Sequence, residues 1–225
     1  MNETRSARSQ ATQAAMMDAA EKLAAEKGIE QISIRAIVSQ AGQKNESALQ
    51  YHFGNLKGLI GAIHQRRAAE VQARRAELLE KVEPGSEPAL RDLVKLMVQP
   101  AFDLAVSDAG FRRYIKAFGH ELAMAETSAL MVVSSPNRGG GGESGQRLRE
   151  LLQSAFTEFD PVTLQRRLDL AVRLSATAMH HQARQKNAFR GDEAILFFHN
   201  LLDALTGLLG APVSAETAAL KGLDR

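Results

Sequence analysis

Residues 32–59 read ISIRAIVSQAGQKNESALQYHFGNLKGL, and their spacing predicts two short helices, a tight turn between them and the capped start of a third. Ser33 is placed to cap the first helix, with Ile34, Ile37, Val38 and Ala41 at helical spacing behind it. Gly42 ends that helix, because glycine accepts the left-handed backbone that closes a helix. Asn45 or Ser47 caps the next, which carries Leu49 and Tyr51 into His52-Phe53 before Gly54-Asn55 breaks it. Helix, glycine-containing turn, short helix is the plan of a helix-turn-helix. In that plan the second helix lies in the major groove of DNA and its N-terminal residues meet base edges.

Sidedness divides the labour within this stretch. Ile34, Ile37, Val38, Ala41, Leu49 and Phe53 are apolar and are expected to form a small core, which removes them from contact with bases. Ser33, Arg35, Gln43, Lys44, Asn45, Ser47, Gln50, Tyr51 and His52 are left outside. Lys44, Asn45, Ser47 and Gln50 start or line the second helix; asparagine or glutamine can pair with adenine and lysine with guanine. Ser33, Arg35, Tyr51, His52 and Lys57 are better placed for phosphates, which position a protein without specifying sequence. For Tyr51 and His52 the residues alone leave a packed aromatic and a hydrogen-bonded histidine as equal alternatives.

The stretch resembles the N-terminal domain of TetR-family transcriptional regulators. The matching features are the serine-started helix ending in Ala41-Gly42, the recognition helix ending in Tyr51-His52-Phe53 and the hydrophilic turn into Leu59. Upstream, Met16, Ala19, Ala20, Leu23, Gly28 and Ile32 stand where that family has its first helix and exit turn, so the likeness covers residues 10–63. Between Gly42 and Tyr51-His52 there is one residue more than in the commonest family pattern. Leu56 stands where a lysine is usual, with Lys57 following. The resemblance implies phosphate contacts for Tyr51 and His52, dimerisation through the last helices, and a repressor released from DNA by a small molecule.

Composition narrows the remaining choices. The 225 residues are 44% hydrophobic, enough for a sizeable core, and contain no cysteine, which excludes disulfides, thiolate metal sites and thiol chemistry. No run of 18 apolar residues is present and the N-terminus lacks an apolar signal core, so a cytoplasmic protein is expected, with no membrane partner. Net charge is only +2; residues 1–80 hold 11 Lys/Arg against 9 Asp/Glu, whereas 81–225 hold 17 of each. The small excess lies at the end read as facing phosphates.

Around the helix-turn-helix the pattern is helical throughout. Residues 1–9, with Arg5 and Arg8, read as a flexible basic arm, and 10–27 as an alanine-rich helix with Glu21, Lys22, Glu26 and Lys27 on its wet side. Residues 56–81 form a long connecting helix whose Arg66-Arg67 and Arg74-Arg75 pairs read as solvated face or as partners for Glu70, Glu77 and Glu80. Further helices are expected from 88, with a kink or break at Pro100; from Asp108 to Met124; over 145–158, with Leu148, Leu151, Leu152, Ala155 and Phe156 inward; from Asp160-Pro161 to 188; and over 193–209. The glycines Gly139–Gly142 lack the flanking strand and Lys-Ser/Thr of a phosphate loop and read as a mobile surface loop. His120, His180, His181 and His199 have no metal-site spacing, so no metal and no cofactor are expected.

The whole reads as an all-α protein: a three-helix DNA-binding head with a helix-turn-helix, plus a larger helical body for ligand binding and dimerisation. The expected bounds are 1–9 arm, 10–57 head, 58–83 connecting helix, 84–210 body and 211–225 tail. The expected partners are double-stranded operator DNA, a second copy of the chain and an apolar or aromatic small-molecule effector. Met97, Phe102, Tyr114, Phe118, Met124 and Met179 are the candidate pocket lining. The helix over 193–209 has little polar face, so Phe197, Phe198, Leu201 and Leu205 are expected to join Leu164 and Leu168 in a four-helix dimer interface. An architectural DNA-binding protein and a helical enzyme are the alternative readings, although no catalytic motif stands out.

Overall fold

The computed structural model describes residues 2–83, 85–136 and 141–220, with side chains from residue 7 onward. Helices follow one another as α1 (Asn2–Lys27), α2 (Ile34–Gln40), α3 (Ser47–Phe53), α4 (Leu56–Leu79), α5 (Leu90–Ser107) and α6 (Ala109–Phe118). Then come α7 (Glu121–Met124), α8 (Ala129–Val133), α9 (Gly142–Ala155), α10 (Pro161–Ala183), α11 (Gly191–Gly210) and α12 (Ala215–Leu220). No strand occurs among the described residues. The fold is all-α, with the helix-turn-helix at its N-terminal end.

Several boundaries differ from the sequence reading, each for a local reason. α1 begins at Asn2, so the stretch read as an arm is continuous with the helix; neither glycine nor proline interrupts it before Gly28. The side chain of Arg5 lies outside the described ones. α5 runs unbroken through Pro100. Proline has no N–H to give the carbonyl four residues back, and the Nε of Arg75 donates to that oxygen, on Leu96, at 3.4 Å. The helix from Asp108 stops at Phe118, where Gly119 lets α10 approach: a Cβ there would lie 2.9 Å from that of His180. α10 ends at Ala183. The buried Phe189 that follows holds a positive φ of 56°, and packing its ring on Phe102 and Phe197 offsets that strain. In α9, Ala155 faces solvent, not the core. The glycine run falls partly on residues 137–140, outside the described ones; Gly142 itself opens α9.

Two hydrophobic cores form, and α6 belongs to both. The head core collects Met16, Ala19, Ala20 and Leu23 of α1, Ile37 and Val38 of α2, Leu49 of α3, and Leu59 and Ile63 of α4. It also holds Ala117 and Phe118 of α6. Phe111 and Ile115, on the same short helix, sit in the body core with α5, α9, α10 and α11. Phe118 is 1% exposed; burying such a ring contributes roughly 1.5–3 kcal/mol.

Charged groups fasten the same junction. Glu21, expected on the wet side of α1, is fully buried and takes a bidentate pair of bonds from Arg67 of α4, at 2.8 and 2.6 Å. Arg67 also reaches Glu70 at 2.8 Å and Asp108 at 3.1 Å. Burial opposes the charge of Arg67, but Glu21 and Glu70 outweigh it and hold its pKa above the ordinary value. Asp108 caps α6 by accepting from the N–H groups of Gly110 and Phe111 at 2.7 and 2.9 Å. Burial acts to raise the pKa of Asp108, but those N–H groups and Arg67 prevail and depress it. One turn earlier on α4, the buried His64 meets the Tyr114 hydroxyl of α6 at 3.1 Å and Glu121 of α7 at 3.2 Å. Arg67 is thus neither a solvated side chain nor simply a partner for Glu70.

Removing one member of a buried ion pair leaves the other charge desolvated and unpaired, which costs about 3–5 kcal/mol. Arg67→Met is expected to lower the unfolding free energy in urea by an amount of that order, and Glu21→Leu combined with Arg67→Met to recover most of the loss. The depressed pKa of Asp108 means that its stabilising contribution is complete above the ordinary aspartate value of 3.8 and is lost as pH falls below it. Asp108→Asn is expected to flatten the acid limb of a stability-against-pH curve.

Candidate functional site

The helix-turn-helix is built by local caps. The Ser33 hydroxyl accepts from the N–H of Ala36 at 3.2 Å and starts α2. Gly42, at φ 68°, closes it, and the N–H of Gln43 turns back to the Val38 carbonyl at 2.9 Å. Asn45 Oδ1 accepts from the N–H of Ser47 at 2.9 Å, fixing the entry to α3. Gly54, at φ 75°, releases the chain, and Asn55 caps α4 by accepting from Gly58 at 2.9 Å. Inside, Ile37, Val38 and Leu49 are buried, while Ile34, Ala41 and Phe53 are half-buried against the same core.

That packing leaves the polar set facing out. Ser33, Arg35, Lys44, Asn45, Ser47, Gln50, Tyr51 and Lys57 are exposed, Tyr51 to 82%. Gln43 and His52 are half-buried. The amide of Gln43 reaches back to the Ala41 carbonyl at 3.4 Å. His52 Nδ1 lies 3.4 Å from the side-chain amide of Gln13 on α1, and its ring stands edge-on to Tyr51 at 4.9 Å. Gln13 was not legible as a site residue: the contact spans 39 positions, and nothing on α1 alone singles it out. Gly58 was missed as well. A Cβ there would lie 2.0 Å from the Phe53 carbonyl, so only glycine lets the first turn of α4 pass beneath the end of α3.

The other sequence-derived sets fare differently. The six residues expected to line an effector pocket do not meet around one space. Phe118 lies in the head core, Met124 is 77% exposed, and Phe102 stacks on Phe198 at 4.4 Å inside the body core. Met179 is buried in that core, with Met97 packed beside it, and Tyr114 is held by His64. Two depressions of about 380 and 520 Å³ are lined by none of the six; the larger is formed by Ser128, Val162, Gln165, Arg166, Asp169 and Leu170. Leu164, Leu168, Phe198, Leu201 and Leu205, expected between two copies, are buried within one chain, and Phe197 is half-buried against the same core. Those faces pack α10 and α11 into their own body; the apolar residues these helices expose are Val162, Leu170, Leu174, Ile195 and Leu196.

No group of three His, Cys, Asp or Glu residues placed to hold a metal occurs among the described residues, and no helix among them is long and apolar enough to cross a membrane. His180 bonds to the Ile115 carbonyl at 3.1 Å, whereas the adjacent His181 points to solvent.

A capped two-helix head with a polar outer face, set on a helical body, is the arrangement of a helix-turn-helix DNA-binding domain. Residues 16–63 match the model of the bacterial regulatory proteins of the tetR family. No curated protein matches the sequence. Among solved structures, the chain is similar to RolR in complex with the ligand resorcinol, with 17% identity over 93% of this chain and 98% of that one, at a TM-score of 0.48. It is also similar to GusR of Salmonella enterica, with 19% identity over 88% and 95%, at a TM-score of 0.48.

Gly58→Ala is expected to cost about 1–3 kcal/mol, the usual range for overpacking, because the new methyl meets backbone and not a flexible side chain. Thermal unfolding of the variant checks this, and the ordinary tolerance of glycine-to-alanine changes within helices would be the contrary result.

Proposed function

We propose that the protein binds a palindromic operator as a homodimer, acts as a repressor and is released by a small molecule. The observation that carries this is the outward polar face of α3 and its flanks, above a fully packed apolar side. In this reading Lys44, Asn45, Ser47 and Gln50 face base edges, with Gln43 at their margin. Ser33, Arg35, Tyr51, His52 and Lys57 hold phosphates on either side. Two heads related by two-fold symmetry meet successive major grooves about one helical turn apart. The effector needs only to bind the off-DNA arrangement better, by a coupling of about 1–3 kcal/mol.

The dimer is assigned to the exposed apolar residues of the last long helices. Val162, Leu170 and Leu174 on α10, with Ile195 and Leu196 on α11, supply apolar surface that the chain itself does not cover. The small residues Ala204 and Gly207 are exposed on α11 too, where they permit close approach of a second helix.

Selection of DNA from a random pool, at fixed salt, tests the reading. A palindrome with half-sites about one turn apart is the expected product; a folded dimer that recovers no preferred sequence would instead indicate an architectural protein. Within a recovered site, Lys44→Ala and Asn45→Ala are expected to relax preference at single positions, each worth about 1–3 kcal/mol of discrimination. Tyr51→Phe and Lys57→Ala are expected to weaken all sequences alike, and the lysine change to reduce the salt slope by about one. A Tyr51 change that alters base preference while leaving general affinity intact would reverse that division. Leu170→Arg with Leu196→Arg is expected to give monomers in sedimentation and to abolish operator binding at concentrations where the parent protein is dimeric.

A further inference from the structure

Of the five side chains assigned to phosphates, only His52 is held by a hydrogen bond from another helix among the described residues. Its Nδ1 lies 3.4 Å from the side-chain amide nitrogen of Gln13, the one side-chain hydrogen bond joining α1 to α3 there. Both residues are half-buried. Gln13 stands one turn before Met16, which is fully buried in the head core, and α1 is further fixed by the bonds from Arg67 to Glu21. The amide is therefore presented by a helix whose place in the head is set independently of His52.

The contact has a chemical direction. An amide nitrogen donates and does not accept, so the Nδ1 it meets is the acceptor and carries no proton. The neutral imidazole then keeps its proton on Nε2. His52 Nε2 has no protein partner among the described residues, and solvent reaches it: the buried side-chain nitrogens without a partner there belong to Arg66 and Arg113. The ring is oriented from a second side by Tyr51, which stands edge-on at 4.9 Å with the two planes at 79°. One nitrogen of the ring is thus turned to α1, and the other is left as an open N–H donor next to the exposed Tyr51.

We propose that Gln13 is a positioning residue for DNA binding: by donating to Nδ1 it holds the His52 ring in place, with Nε2–H as the donor to a DNA phosphate. This rests on the reading of His52 as a phosphate contact given above. Phosphate oxygens accept and do not donate, so the opposite tautomer would aim a lone pair at the phosphate and lose the bond. Gln13 itself does not touch DNA. It fixes the ring before DNA arrives, which reduces the ordering cost of binding. A phosphate carries no sequence information, so the gain is in affinity for every sequence alike.

The test measures binding of the full-length protein to fluorescein-labelled DNA duplexes of equal length, one recovered in the selection above and one of unrelated sequence, at fixed salt. If no sequence is recovered, the unrelated duplex carries the measurement alone. His52→Ala is expected to weaken binding to both duplexes roughly tenfold, and Gln13→Leu to weaken both roughly three- to tenfold. Adding Gln13→Leu to His52→Ala is expected to cost nothing further. If Gln13→Leu does not fold, Gln13→Met takes its place. Imidazole nitrogen NMR of histidine-labelled protein, with the ring neutral and His52→Ala identifying its signals, is expected to show the proton on Nε2. Gln13→Glu, whose carboxylate only accepts, is expected to move that proton to Nδ1, a change that a merely structural tie between α1 and α3 does not call for. A proton on Nδ1 in the parent protein, undiminished affinity in Gln13→Leu, or the same loss from Gln13→Leu with and without His52 overturns the proposal. Unchanged affinity in His52→Ala rejects the phosphate reading of His52 and the proposal with it, whereas a loss from His52→Ala that is not coupled to Gln13 rejects the positioning role alone.

Discussion

The bidentate bond between Glu21 and Arg67 sets the relation between the reading head and everything that carries it. A carboxylate with no solvent exposure cannot stay charged at reasonable cost unless its partner is close and well aimed. Both conditions hold, at 2.8 and 2.6 Å. Apolar contacts between α1 and α4 would tolerate a small slide or rotation; two charge-assisted bonds with fixed geometry tolerate far less. The angle at which α4 leaves the head is therefore specified, and with it the direction in which α3 is presented. Arg67 then spends its remaining nitrogen on Glu70 and Asp108, so the start of α6 is referred to the same point.

α6 is the second half of that arrangement. Ten residues long, it is capped at one end by the aspartate that Arg67 touches and buried at the other in the head core through Phe118. Its middle belongs to the body. Farther along, Arg173 of α10 gathers the carbonyls of Leu122, Ala123, Ala125 and Thr127, and Asp169 takes the Ser128 hydroxyl at 2.7 Å. The irregular segment after α6 is thus tied to a long helix. A displacement of α10 or α5 has a packed route through α6 to α1 and α4.

The sequence exposed some of this and hid the rest for identifiable reasons. Ser33, Gly42, Asn45, Gly54 and Asn55 act on backbone within a few positions of themselves, so the two short helices and their turn were legible from spacing alone. Glu21 was misplaced because its partner lies 46 positions away and one charged residue in a helical pattern resembles any other. Pro100 suggested a kink or break because a distant arginine, able to meet the freed carbonyl, is invisible locally. The apolar pattern of α11 points to burial on more than one face, but which face meets its own body is a tertiary fact. Phe198, Leu201 and Leu205 turned inward, while Ile195 and Leu196 remained outside. The pocket residues were chosen by type, and type does not gather side chains from two separate cores.

The double membership of α6 limits how this chain can be divided. By sequence alone the loop after α4 is the natural place to cut, since composition changes there and the helix-turn-helix lies wholly before it. The head so released would lack Ala117 and Phe118 from its core and Asp108 from its charge cluster. Transplanting it onto another body would require that body to offer an aromatic residue and a capping acid in the same places. The unit that evolution can exchange intact is accordingly larger than the unit that reads DNA, and includes a helix some fifty residues downstream of it.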